Sequence, residues 1–299
     1  MINFRFHLVS LVSVFLALAI GLATGASIVN QGLVRAQKSQ LSRLETRLRE
    51  RGNQVGVERA TAKRWERYAA QGEVRLVQGR LRATTVVIVR PAGGPDAPVR
   101  ALATTLEAAG ASLVGELTIE TAAALDTEST LRLAHDSLPT ASTRPATVRF
   151  MLRSRIRDAL LDPDRVEPLT ALARSGFVTF RGRPGGAVSS APRLPTGARL
   201  VVVTSEDSEV DPDLVSALLK AFVSTGPARI VLAETSGEPE ALRLVRRSPI
   251  FDRTISTVDN VDELEGRVAL VLALEDLTLQ IVGDYGVDSS AKRLMPGAA

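Results

Sequence analysis

The chain has 299 residues, with 37 Lys/Arg against 33 Asp/Glu, a net charge of +4, 45% hydrophobic residues and no cysteine. Lack of cysteine excludes disulfides and thiolate metal sites. Two histidines, His7 and His135, and three isolated methionines, Met1, Met151 and Met295, make no recognisable ligand set for a soft metal such as copper(I).

After a short tail over residues 1–7, the stretch from Leu8 to Val29 carries no charge and is flanked by Arg5 and Arg35. At about 1.5 Å of rise per residue, a helix of that length covers a hydrocarbon core about 30 Å thick. Residues 8–29 are therefore read as a single transmembrane signal-anchor. The rival reading is a secretory signal cut at Ala23-Thr24-Gly25 before Ala26, but the apolar run continues past that point through Ile28 and Val29. Ser13, Ala17, Gly21 and Gly25 recur every fourth position and line one helical stripe, a pattern that lets two spans pack backbone to backbone. By the positive-inside count, Arg35, Lys38, Arg43 and Arg47 against Arg5 put the C-terminal side in the cytoplasm, whereas the very short N-terminal tail suits the opposite orientation.

Residues 30–82 contain no proline and read as a basic helical stalk. A heptad frame sets Val34, Leu41, Leu48, Val55, Ala62, Ala69 and Leu76 at one apolar position. The second position is Gln37, Leu44, Arg51, Glu58, Trp65, Gly72 and Gly79. This half-kept seam predicts an imperfect coiled coil paired best through Leu41, Leu44, Leu48 and Val55, with a single helix packed on its own domain as the alternative. Residues 1–82 carry fourteen Lys/Arg against five Glu, and the remainder twenty-three against twenty-eight acids, so the basic character belongs to the stalk. Such a stem suits anionic lipid or an acidic partner; without interleaved aromatics it is a poor nucleic-acid binder.

From residue 83 onward, short β-branched runs alternate with helical stretches. Strands are expected over 85–89, 112–119, 177–180, 199–203, 229–233, 254–258 and 268–273. Helices are expected over 97–109, 147–161, 165–175, 211–224 and 238–246. Asp211-Pro212 reads as a helix cap followed by an N-terminal proline, and Gly226-Pro227 as a stop. Continuous apolar strands between helices predict an α/β fold, Rossmann-like, with a mostly parallel sheet covered by helices on both faces. Residues 83–299 thus form one α/β domain, or two halves meeting at an exposed Gly/Pro/Ser-rich loop over 182–198.

Ligands of open α/β sheets sit at the carboxyl ends of strands. Pro91-Ala92-Gly93-Gly94-Pro95 follows the first strand but lacks the GxGxxG spacing, and there is no GxxxxGK[ST], so no nucleotide cofactor is expected. Acids collect at expected strand ends, among them Asp207, Glu234 and Glu275; paired carboxylates can bind hard cations, and the same positions favour acids for capping alone. With no GxSxG elbow and His135 the one histidine away from the membrane segment, the pattern points away from an enzyme.

The opening Met1-Ile2-Asn3-Phe4-Arg5-Phe6-His7-Leu8 through Gly21, and the closing Asp284-Tyr285-Gly286-Val287 with Ala291, Leu294 and Pro296, resemble the actinobacterial MctB family. Anchor, stalk and α/β domain occur in the same order, so the resemblance spans the whole chain. It implies copper transport or copper resistance at the cell envelope, with copper ion as the transported species. It also implies a C-terminal domain outside the cytoplasm, and kinship with membrane-anchored partners of a second protein in cell-wall and division control. One span encloses no pore unless it oligomerises, and the strands lack the lipid-facing alternation of a β-barrel. The physical reading is therefore a non-enzymatic scaffold: a homodimer or higher oligomer, held in membrane lipid, that binds a partner protein.

Overall fold

The computed structural model describes residues 4–138, 143–161, 169–190, 194–209, 212–223, 229–238 and 240–297. The first three residues of the tail, positions 165–168 of one expected helix, the cap residue Asp211, the Gly226-Pro227 stop and residues 191–193 of the expected loop lie outside the described residues.

Span and stalk form one continuous helix, α1 (Phe4–Val77), which ends five residues before the expected stalk boundary. The chain divides into two compact bodies, one ending at Arg67 and the other beginning at Tyr68. In the first body, the apolar segment Phe4–Gly25 is 22 residues long, with a mean hydropathy of 2.3, and its side chains are exposed. Leu41, Leu44, Leu48 and Val55 are also exposed along the same helix.

In the second body, a single seven-stranded sheet has the order β3-β2-β1-β4-β5-β6-β7. Its strands are β1 (Thr85–Pro91), β2 (Ser112–Ile119), β3 (Val178–Arg181), β4 (Arg199–Thr204), β5 (Ile230–Glu234), β6 (Ile255–Val258) and β7 (Asp284–Tyr285). All neighbours are parallel except β2 and β3, where Ile119 faces Val178 and Glu116 faces Arg181. The helices are α2 (Asp96–Ala108), α3 (Glu128–Ser137), α4 (Pro145–Leu161), α5 (Leu169–Arg174), α6 (Pro212–Val223), α7 (Glu240–Arg246) and α8 (Leu264–Asp276).

Two apolar clusters sandwich the sheet. Val87, Val89, Leu200, Val202, Ile230 and Leu232 pack with Leu152 and Ile156 of α4, Leu218 and Phe222 of α6 and Leu242 of α7. Val86, Ile88, Val201, Val203, Val231 and Ala233 pack with Leu102 and Leu106 of α2 and Leu270 and Leu274 of α8. Because the central strands are buried on both faces, they read as unbroken β-branched runs instead of alternating patterns.

The end of α1 is built into the second cluster. Val77 and Leu81 have no exposed surface, and the Leu81 N–H donates to Ala109 O at 2.9 Å. The Glu73 carboxylate accepts from Thr105 Oγ1 at 2.6 Å and from Arg267 Nε and Nη2 at 3.0 and 3.3 Å, so it ties α2 and α8 together.

Three expectations are corrected. Residues 268–273 are the middle of α8, not a strand: seven α8 residues are buried, so the helix shows no polar face, and a short apolar run does not separate the two states. The strand that completes the sheet, β7, is only two residues long and leaves no periodic trace. Helix α3, which carries His135, lies outside the helix ranges expected above; it is signalled locally by a capping box in which Thr127 and Thr130 exchange side-chain and backbone hydrogen bonds.

Truncating the fully buried Leu81 to Ala is expected to lower stability by about 3 kcal/mol, as for other core leucines. The check is urea unfolding of the full chain followed by circular dichroism; a loss under about 1 kcal/mol would contradict the seating of the α1 end.

Candidate functional site

Neighbouring strands β1 and β4 carry the sheet order outward in opposite directions, so their carboxyl ends form the fold's switch point, the usual ligand crevice of doubly wound sheets. Here the crevice is nearly filled, with room for about 10 Å³, and is lined by Arg90, Gly94, Thr204, Ser205, Ser208 and Thr235, among others. The loops on either side clasp each other. Ala92 N–H donates to Ile119 O at 2.9 Å, and Glu209 N–H donates to Ala92 O at 2.8 Å. Gly93 sits at φ +96°, and a Cβ there would lie 2.4 Å from Glu209 Cγ, so the glycine serves loop-on-loop packing.

Arg90 holds the base of this crevice. Its Nε donates to Glu116 Oε1 at 2.7 Å, Nη1 to Gly94 O at 2.8 Å and Nη2 to Asp96 Oδ1 at 2.5 Å. Glu116 is fully buried, and its Oε1 also accepts from Thr118 Oγ1 at 3.2 Å. Sequence reasoning passed over both residues. The available signal was a charge inside each apolar strand, Arg90 after Val86–Val89 and Glu116 between Val114 and Leu117, which demands a partner on the next strand.

The three acids expected at strand ends do not converge. Asp207 is exposed in the loop after β4. Glu234 ends β5 on the same sheet edge, is buried, and accepts from the Leu242 N–H in the first turn of α7 at 3.1 Å. Burial pushes its carboxyl up to about 6, against the pull of the Leu242 and Ala241 amides, the Thr204 hydroxyl and Arg246. Glu275 belongs to the C-terminal turn of α8, which runs back to the opposite edge, where it pairs with Arg80 at 2.7 Å. Among the described residues there is no group of three or more His, Asp or Glu placed to hold a metal ion.

A second charged assembly explains the closing motif. Arg246 and Asp259 are both almost fully buried and pair at 3.2 Å. Arg246 also donates to Thr257 Oγ1, Ser290 Oγ and Tyr285 O. The Asp259 carboxylate accepts from the Val287 and Asp288 N–H groups at 2.7 and 3.3 Å. Gly286 passes so close that a Cβ would lie 2.0 Å from Asp259 Oδ1, at φ +131°. Asp288 is held down to about 2 by the Ser290 hydroxyl and amide and then by Arg243. Asp284-Tyr285-Gly286-Val287 is therefore the wrapping of a buried ion pair.

In the membrane-length segment, Ser13 Oγ donates to Val9 O at 2.8 Å, and Cβ atoms added at Gly21 and Gly25 would meet nothing within 4 Å. The stripe Ser13, Ala17, Gly21 and Gly25 is thus an open, small-residue face on an exposed helix.

The chain belongs to the family described as copper transport outer membrane protein, MctB, whose model matches residues 1–296. Similar proteins include the copper transporter MctB of Mycobacterium tuberculosis (strain ATCC 25618 / H37Rv), 27% identical over 311 residues, which cover 97% of this chain and 98% of that protein. The copper transporter MctB of Mycobacterium leprae (strain TN) is 28% identical over 316 residues, with the same coverage.

Glu234 yields a pH prediction. Its folded-state carboxyl lies above its ordinary value of 4.5, so its contribution to stability is fully present below pH 4.5 and is lost as pH rises through about 6. The loss amounts to about 2 kcal/mol. Glu234→Gln keeps an acceptor for the Leu242 amide and is expected to match the parent near pH 4.5 and exceed it by about 2 kcal/mol at pH 7.5. Urea midpoints at the two pH values check this; a constant difference between the proteins would refute it.

Proposed function

We propose that this chain is a single-pass, non-enzymatic protein of copper handling at the cell envelope, and that it works as an oligomeric scaffold instead of a conduit. The observation that carries the proposal is the one 22-residue apolar helix, which runs without a break into an exposed stalk. A lone span encloses no pathway, so any ion passage requires several copies or a partner that supplies the pore. The relatives are named copper transporters, and family membership supports copper as the ion concerned. Copper(I) favours thiolate and thioether ligands, and this chain has no cysteine and three methionines, so its contribution to copper handling lies in assembly and placement.

In this reading, the stripe Ser13, Ala17, Gly21 and Gly25 brings two spans together in the membrane. Leu41, Leu44, Leu48 and Val55 then extend the pairing as a short coiled coil. The α/β domain lies outside the cytoplasm and offers its surface to a partner protein, with the switch-point crevice used for structure.

The test is crosslinking in intact cells. Replacing Gly21 and Gly25 together by Ile is expected to reduce the self-crosslinked species by about tenfold, the equivalent of ~1.4 kcal/mol. Undiminished crosslinking would sink the association stripe. The same experiment identifies neighbours: recovery of self-contacts alone would count against a partner, and unchanged cellular copper in a deletion strain would remove copper from the reading.

A further inference from the structure

Most buried or half-buried charges of the α/β body have a fixed partner; at its amino edge, a pair of neighbouring cations has none. Arg199 opens β4 and Arg229 immediately precedes β5. The two strands are hydrogen-bonded neighbours in register Leu200 to Ile230, and Leu200 N–H donates to Arg229 O at 2.9 Å. Adjacent strands lie about 4.8 Å apart. Side chains alternate between faces: Leu200 and Ile230 enter one apolar cluster, Val201 and Val231 the other. Arg199 and Arg229 therefore share the face of Val201 and Val231 and stand side by side. Both are half-buried, and neither guanidinium has a hydrogen bond or ion pair among the described residues. Carboxylates of that edge are engaged elsewhere, Glu275 with Arg80 and Asp276 with Tyr285. Burial and then the charge of Arg229 lower the pKa of Arg199, the direction expected of cations held together without a counter-charge.

We propose that Arg199 and Arg229 form a binding site for a phosphate group, each guanidinium donating its two-pronged fork to the oxyanion. Planar guanidinium forks match phosphate bidentately. Two forks side by side require an anion with at least three oxygens and about two negative charges, which phosphate supplies near neutral pH. A carboxylate fills one fork and leaves the second cation unpaired. The site lies on the opposite edge of the sheet from the Arg90 crevice and is independent of the membrane and copper reading.

The test uses the full chain in neutral maltoside micelles, with its thermal midpoint followed by circular dichroism. Inorganic phosphate at about ten times its dissociation constant is expected to raise the midpoint by about 3 °C over sodium chloride of equal ionic strength. Arg199→Gln and Arg229→Gln should each abolish this difference, while their midpoints in chloride stay level or rise as the mutual repulsion is relieved. Arg199→Lys keeps the charge and loses the fork; it is expected to fold and to lose most of the shift. A full shift in the Lys variant would overturn the proposal, and so would a midpoint equal to that in chloride both with inorganic phosphate and with the lipid of the second arm. A second arm replaces phosphate by a short-chain phosphatidic acid. A shift with the lipid alone assigns the site to a lipid headgroup, and a shift with inorganic phosphate alone to a free phosphate; no shift in either arm rejects the site.

Discussion

A charge taken out of water costs several kcal/mol unless a fixed partner meets it, and at the carboxyl edge of this sheet that constraint decides the chemistry. Arg90 is met by Glu116, Asp96 and the carbonyl of Gly94. Arg246 is met by Asp259, and Asp259 by the amides of the closing segment. Glu234 receives the first turn of α7. The polar groups that an open α/β sheet ordinarily turns toward a ligand are here turned toward each other. Removing either member of such a pair exposes the other, so the arrangement is self-locking.

The same constraint accounts for the ends of the sheet. An exposed strand edge invites pairing with another chain. Along β7, the segment after Gly286 returns so that Lys292 and Arg293 donate to Asp284 O, and Gly286 donates to Arg293 O. Along β3, Ser189 N–H donates to Phe180 O. Both edges thus pair in part with the chain's own loops.

What the sequence made legible follows from burial. Strands β1, β2, β4 and β5 announce themselves because double-sided burial selects runs of Val and Ile, and α2 because it keeps one polar face. The same burial hides α8, whose Gly266, Val268, Ala269, Leu270, Val271, Ala273 and Leu274 are all enclosed. Where a helix and a strand are equally apolar, periodicity carries no information and only length and caps remain. The candidate site was legible in part: the carboxyl edge was the right place to look, but acids were weighed there one by one. The informative residues were the buried Arg90, Glu116, Arg246 and Asp259, each of which makes sense only with a partner 13 to 26 residues away in the chain. Asp284-Tyr285-Gly286-Val287 read as a family signature long before its purpose was visible, since that purpose is a close approach of backbone to a carboxylate on another strand.

Helix α1 carries the remaining argument. A helix of 74 residues keeps its form for different reasons along its length. In a bilayer the apolar part must be helical, because only internal hydrogen bonds satisfy its backbone. The last turns are held by burial of Val77 with the following Leu81, and by the Glu73 carboxylate shared between α2 and α8. The stretch between has neither support: Leu41, Leu44, Leu48, Val55 and Trp65 face solvent, and Gly52, Gly56 and Gly72 each weaken helix by about 1 kcal/mol relative to alanine. An isolated helix of such composition is marginal in water, where most helical stability comes from packing. These exposed apolar side chains are therefore the part of α1 whose burial would add most stability per residue. Under the pairing proposed above, a second copy positioned by its own span would meet that need at a high effective concentration, both spans being confined to one surface.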